Sequence, residues 1–376
     1  MRIMRALVIV ALVAMMALVA GCERKIVNEI ANNDQSLNGC FACHGETSFD
    51  GALLQARGEW ENSLHASGTS VDYTNADRPN SDCQQCHNHQ GFVNWIGTGE
   101  ADTLVQSTVS SIHCFTCHAP HERGDLSLRI SEAFTLMNGV VFDHGSANLC
   151  VNCHHSRTAM TADIGAGPTK TVNSRFGPHH GPQGDMLQGT HAYLFGGAAY
   201  PSSTHATSVQ DGCIGCHMGN PQVHDGYNVG GHSFNMEYEA HDGTIYTLVK
   251  VCKDCHGSYS ASGVTKFDDW KLKDLNGDGV VNGIQTEFDA LRDSLGTLLV
   301  IRGVATRSSS GAFTIKTIEV PIDVAGAVYN FMTYQEDRSR GIHNPLFIEA
   351  MLKRAIEYLN NNPAPVANGD IASSRD

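Results

Sequence analysis

The pattern Cys-x-x-Cys-His occurs six times, at Cys40-Phe-Ala-Cys43-His44, Cys83-Gln-Gln-Cys86-His87, Cys114-Phe-Thr-Cys117-His118, Cys150-Val-Asn-Cys153-His154, Cys213-Ile-Gly-Cys216-His217 and Cys252-Lys-Asp-Cys255-His256. Two thiols three positions apart lie on one turn of chain, and the histidine that follows sets an imidazole beside them. Three chemistries use such thiols: zinc binding, dithiol exchange, and thioether attachment of a porphyrin whose iron the imidazole then ligates. Zinc sites pair their Cys-x-x-Cys motifs at regular separation and do not require the adjacent histidine. Dithiol centres rarely occur more than once or twice in a chain. Of the 13 cysteines only Cys22 lies outside the motifs. Disulfide pairing, the usual fate of thiols in an exported chain, fails on this spacing. The pattern therefore implies six covalently attached haems c. Their proximal iron ligands are His44, His87, His118, His154, His217 and His256.

What such irons can do depends on their other face. With a second histidine the iron has no open position and only passes electrons; with that position open it can bind and reduce a substrate. Six of the 20 histidines sit in the motifs, which leaves 14 for six distal positions. Gly177-Pro178-His179-His180-Gly181-Pro182 lies in the longest gap between motifs, and one of His179 and His180 is expected to be a ligand. His89, His113, His144, His155, His191, His224 and His241 are equally well read as surface or hydrogen-bonded residues. His155 adjoins a motif histidine and has to turn away from it.

Three segments resemble elements of the multihaem superfamily that contains pentahaem nitrite reductases, hydroxylamine oxidoreductases and tetrahaem electron carriers. They are Trp60-Glu-Asn-Ser63-Leu-His65-Ala66, Ser203-Thr-His205-Ala206 and Gly230-Gly231-His232-Ser-Phe234. The resemblance implies that His65, His205 and His232 are distal ligands to other haems. Cys114-Phe-Thr-Cys117-His118-Ala-Pro120-His121 is similar to a variant in which the last histidine, here His121, ligates a neighbouring iron. Gly341-Ile-His343-Asn344-Pro345 resembles an element that opens a C-terminal helix in related cytochromes, and it adds His343. The motif order also resembles that of hexahaem cytochromes that polymerise into extracellular filaments, from which this chain departs in its last two haem segments and in its leader. None of the six motifs carries the lysine that marks the catalytic haem of the pentahaem nitrite reductases.

The elements that must position these groups are unevenly distributed. First cysteines of successive motifs fall 31 to 63 residues apart, so there is no solenoid period. A hydrophobic content of 41 % is low for a chain of 376 residues, which implies that haems fill much of the core of residues 39–257. The expected class is a multihaem cytochrome c, mostly α-helix and irregular loops around a haem chain, with a small α+β C-terminal domain.

Residues 1–21 read as an export leader: Arg2 and Arg5, then an apolar run of 15 residues from Ala6 to Ala20, shorter than the roughly 20 a membrane span needs. Leu18-Val19-Ala20-Gly21-Cys22 resembles a lipobox, which implies a lipid anchor on Cys22, a tether over residues 22–38 and sorting to the outer membrane.

From residue 258 to 362 cysteine is absent and a capping domain is expected. Asp274-Leu-Asn276-Gly-Asp278-Gly279-Val280 matches the start of a calcium loop, but Gln285 stands at position 12 and Glu287 comes two residues late. Asp274, Asn276, Asp278, Val280 and Glu287 are thus candidate calcium ligands or parts of an Asx-type turn. A helical period runs from Glu287 to Leu299, and another follows Pro345 through Ile348, Met351, Leu352, Ala355, Ile356 and Leu359. Leu299 to Val304 and Phe313 to Ile322 read as a hairpin. Residues 363–376 read as a polar tail.

The formal charge of −14, nearer −16 without Arg2 and Arg5, argues against nucleic acid as a partner. Redox proteins or extracellular electron acceptors fit, with the membrane reached through the lipid. Three functions stay open: an electron conduit at the outer membrane or cell surface, a reductase of a small nitrogen or sulfur oxyanion or hydroxylamine at one open haem, and a subunit of a conductive filament or homo-oligomer.

Overall fold

The computed structural model describes residues 51–74, 81–99, 109–224, 226–260 and 263–363. The leader, Cys22, the tether, the first motif with its ligand His44, and the tail from residue 364 lie outside the described residues. The chain forms two compact units.

The first unit joins the described residues up to Ser127 with Gly226–Phe234. Its helices are α1 (Gly51–Glu61), α2 (Leu64–Ser67), α3 (Ser81–His87), α4 (His89–Thr98), α5 (Cys114–Cys117) and α6 (Pro120–Arg123). Ser63 caps α2 by accepting from the Ala66 N–H, and Asn88 caps α4 by accepting from the Gly91 N–H at 2.6 Å. Buried Trp60 donates from Nε1 to the Ile112 carbonyl at 3.0 Å, fixing α1 to the strand of chain that leads into the third motif. The second and third motifs each occupy one helical turn, as thioether spacing requires.

The second unit takes the described residues from Leu128 to His224 and from Asn235 onward. Its short helices are α7 (Asn148–Val151), α8 (Met160–Ile164), α9 (Gln183–Gln188), α10 (His205–Ser208), α11 (Cys213–His217) and α12 (Lys253–Ser260). Three long ones follow: α13 (Ile284–Ile301), α14 (Ile322–Asp337) and α15 (Pro345–Asn361). Its sheets are two-stranded ribbons: β1 (Phe134–Thr135) with β2 (Val141–Phe142), β4 (Glu237–Glu239) with β5 (Ile245–Thr247), β6 (Ala305–Arg307) with β7 (Phe313–Ile315), and β8 (Ile318–Pro321) antiparallel to β3 (Thr169–Val172).

The division expected between residues 257 and 258 is not where the units part. β8 pairs with β3, Ile318 facing Val172, and Ile164, Val172, Phe176, Met186 and Ala192 share one apolar core with Phe288, Leu295, Tyr329, Phe347 and Met351. The C-terminal helices thus fold with the last three motifs and are not a separate cap. Side chains also build a larger core than composition implied, concentrated on α13 to α15. The expected hairpin is shorter than its sequence run: Leu299 completes the buried stripe Phe288, Leu291, Leu295 of α13, so the first strand starts only at Ala305. No helix among the described residues is long and apolar enough to cross a membrane.

The 274–282 loop is held by its own backbone. Asp274 accepts from the Gly277 and Gly279 N–H groups at 2.6 and 2.8 Å, and Asp278 accepts from the Val280 N–H at 2.8 Å. Fully buried Glu287 accepts from the Leu275 and Asn282 N–H groups at 2.8 and 2.7 Å. The loop is thus closed by Asx-type hydrogen bonds at one end and by Glu287 at the other. Glu287→Ala leaves two backbone donors without an acceptor and should cost about 3 kcal/mol in denaturant unfolding; a loss under about 1 kcal/mol would contradict the clasp.

Candidate haem-ligand site

Five motifs lie within the described residues, and no disulfide links their ten cysteines. In the second unit three motifs crowd together. The Cys213 thiol is pushed well up by its hydrogen bond with Cys150 and then by burial. Burial raises the Cys252 thiol to about 12, with Cys216 and Cys255 adding to the effect. Thiols of successive motifs therefore lie close together, which suits a closely spaced cofactor array.

Two imidazoles bound end-on to one iron, each through a bond of about 2 Å, put their ring centroids about 6 Å apart. Three motif histidines face a second histidine at that separation. His118 lies 6.4 Å from His232, His256 lies 6.1 Å from His205, and His217 lies 6.3 Å from His343. The donor set therefore fits a six-coordinate haem iron at the third, sixth and fifth motifs. A bound haem would supply a one-electron iron couple there.

Four of these six rings have an acceptor beside Nδ1. His343 Nδ1 is 2.6 Å from Asp337 Oδ1, His205 Nδ1 is 2.9 Å from the Ile342 carbonyl, and His118 Nδ1 is 2.7 Å from the Leu126 carbonyl. An acceptor at Nδ1 keeps the proton there and leaves the Nε2 lone pair for a metal. His232 lies 3.6 Å through Nδ1 from Glu59 Oε2, and its backbone N–H donates to the same oxygen at 2.8 Å. That approach needs glycine at 231: its φ is +55°, and a Cβ there would come within 2.2 Å of the Glu59 carboxylate. Burial lowers the His232 pKa despite Glu59, which keeps the ring neutral as a ligand must be. At His343 burial pulls the same way, but the Asp337 carboxylate outweighs it and the pKa rises, so iron would have to displace a more tightly held proton.

The loop between α14 and α15 serves two of these ligands. It carries His343, and its Ile342 carbonyl orients His205. Ser339 donates to Asp337 and accepts from the His343 N–H at 3.2 Å. Buried Asn344 caps α15 by accepting from the Phe347 N–H, accepts from Ser203 N–H and Oγ at 2.8 Å each, and donates to Ser202 Oγ at 2.8 Å. The segment leading into His205 is thereby tied to the residue after His343. Arg338, Arg340 and Gly341 hold φ of +59°, +51° and +95°. Arg340 secures this backbone on Asp289 at 2.8 Å and Gln285 at 3.1 Å, and Gly341 packs where a Cβ would strike the Phe288 ring.

The other expected ligands are placed differently. His65 stands edge-on to Phe234 at 5.0 Å, and exposed His121 packs on Phe115 at 5.8 Å. His179 and His180 lie 4.7 Å apart, with His180 Nδ1 on Glu336 Oε2 at 2.5 Å. None of these four makes one of the facing pairs described above. Buried His113 caps α5 by accepting from the Phe115 N–H at Nδ1, 3.3 Å away. His155 turns from its neighbour to Phe134, 4.8 Å away. The motif ligand His154 keeps solvent-exposed surface yet lies deep enough among protein atoms for desolvation to lower its pKa, and its Nδ1 is 3.2 Å from Gln183 Oε1. His87 has Tyr73 edge-on at 6.1 Å. Asp337, Asn344, Glu59 and the Ile342 carbonyl escape sequence reasoning; only the Gly-x-His-Asn-Pro element hinted at Asn344.

No known protein family and no curated protein matches the chain. Two solved structures are similar to it: the outer cell wall cytochrome OcwA, at 18% identity and a TM-score of 0.46 over 80% of this chain, and the undecaheme cytochrome from the S-layer of Carboxydothermus ferrireducens, at 17% identity and a TM-score of 0.38 over 80% of this chain. The chain spans 49% of the first and 40% of the second.

Asp337→Ala removes the acceptor of one distal ligand, and Asn344→Ala loosens the support of two. Carbon monoxide should therefore bind about one ferrous haem per chain in the first variant and about two in the second, read from difference spectra. Equal binding in both variants and the wild type would contradict this division of labour.

Proposed function

We propose that the chain is a multihaem c-type cytochrome that transfers electrons through six covalently bound haems, anchored by lipid on Cys22 at the outer membrane or cell surface. The observation that carries this reading is that His232, His205 and His343 each lie about 6 Å, ring centroid to centroid, from a motif histidine, the separation that two axial imidazoles on one iron would have. The six motifs support the haem count and the apolar run ending at Cys22 supports the anchor. In this role His118, His217 and His256 hold one axial position each and His232, His343 and His205 the other. Asp337, Glu59 and the Ile342 carbonyl fix the ring orientations, so a change in iron charge is met by ligands that need not move. The partners are redox proteins on one side and extracellular acceptors on the other.

Magnetic circular dichroism and electron paramagnetic resonance of the oxidised protein should show low-spin, bis-histidine haem only. A high-spin signal from one haem in six would instead support reduction of a small substrate at an open iron.

A further inference from the structure

Lysine is unevenly placed in this acidic chain. Of its nine lysines five fall in residues 250–273, a stretch that also holds three aspartates and so carries +2 in a chain of −14. The sixth motif lies in that stretch, and it alone of the six has charged residues between its cysteines, Lys253 and Asp254. The stretch folds back on its own motif. Thr247, the last residue of β5, donates from Oγ1 to the Thr265 carbonyl at 2.8 Å, and the Trp270 ring lies 5.6 Å from that of the motif histidine, His256. Lysines before, within and after the motif, Lys250, Lys253, Lys266 and Lys271, are thereby gathered around one haem attachment point. All four are exposed.

The neighbouring carboxylates are engaged elsewhere. Asp269 accepts from the Thr265 N–H and Oγ1 and from the Lys266 N–H at 2.7, 2.9 and 3.0 Å. Asp268 accepts from the Thr286 N–H and Oγ1 at 3.0 and 2.8 Å and faces Arg340 at 3.9 Å. Asp274, next along the chain, closes the 274–282 loop. Lys250, Lys253 and Lys271 have no ion-pair partner among the described residues, and one carboxylate, Glu349, is shared by Lys273 at 2.6 Å and Lys353 at 2.9 Å. Positive charge therefore outweighs negative on this surface. Leu272, 55 % exposed, lies between Lys271 and Lys273, and Leu346, 48 % exposed, stands one turn ahead of Glu349 on α15. Apolar side chains rimmed by charge of one sign make a face suited to a protein of the opposite sign.

We propose that this lysine-rimmed face around the sixth motif is the docking site of an acidic redox protein, which exchanges one electron with the iron that His256 would hold. In the inward direction the partner's reduced centre loses the electron and ferric iron becomes ferrous. A formal charge of −14 by itself repels such a partner, so the local field has to turn its acidic face toward residues 250–273. The inference deepens the proposed electron-transfer function and rests on reading the sixth motif as a haem attachment site.

The test uses the full-length haem-loaded protein with an acidic plant-type ferredoxin as the probe. Binding of the oxidised ferredoxin, followed by isothermal titration calorimetry, should weaken about tenfold between about 10 mM and 150 mM ionic strength. Reduced ferredoxin should reduce the haems in stopped flow with the same salt dependence. Lys250→Glu combined with Lys271→Glu should weaken binding about tenfold at low salt, whereas Lys316→Glu, at an exposed lysine outside the stretch, should leave it unchanged. If the double reversal does not fold, Lys250→Gln with Lys271→Gln must still weaken binding, and a loss under about twofold there overturns the proposal. Binding that strengthens as salt rises, or that Lys316→Glu weakens as much as the double reversal does, also overturns it. Without ferredoxin binding, lysine-dependent oxidation by ferricyanide assigns the face to small anions, and lysine-dependent self-association assigns it to a second copy; either result contradicts the docking site. Haem content is measured alongside. If a Cys252→Ala, Cys255→Ala variant keeps the wild-type haem count, the haem reading fails, whereas lysine variants with a full count and unaltered ferredoxin binding sink the docking site alone.

Discussion

A metal accepts an imidazole only through a nitrogen that carries no proton, so each histidine that would serve as a ligand here depends on what holds the proton on the opposite ring atom. For His343 that holder is Asp337, for His205 the Ile342 carbonyl, for His118 the Leu126 carbonyl. A histidine count alone does not carry this information, since it is the neighbour that assigns the tautomer.

Placing these acceptors is the task of the apolar core. Asp337 ends α14 and Ile342 follows a turn whose left-handed residues are unfavourable in isolation, and α13 overdetermines that turn through Asp289 on Arg340 and the Phe288 ring under Gly341. The C-terminal helices thus form the rigid side against which His205 and His343 are set, while much of the motif-bearing chain remains in short helical turns and loops.

The motifs themselves were fully legible, because two cysteines and a histidine on one turn are a local requirement. The closeness of His205, His232 and His343 to motif histidines comes only with the fold, whereas the amphipathic stripes of α13 and α15 were legible through their period. The α14 helix was not: Val324 to Phe331 is buried on every side, so it has no polar face to give a period. Nor was the pairing of β3 with β8, which joins residues nearly 150 positions apart and moves the boundary between units. Glu287 illustrates the same limit at one residue, since its spacing gave no sign that it accepts from two backbone donors.

The central claim is that facing histidines hold iron, and the most direct measurement is anomalous X-ray diffraction at the iron edge on crystals of the haem-loaded protein. The account predicts an iron midway between His118 and His232, another between His205 and His256, and a third between His217 and His343. Iron peaks beside the motif histidines with any of those three partners turned away would contradict it.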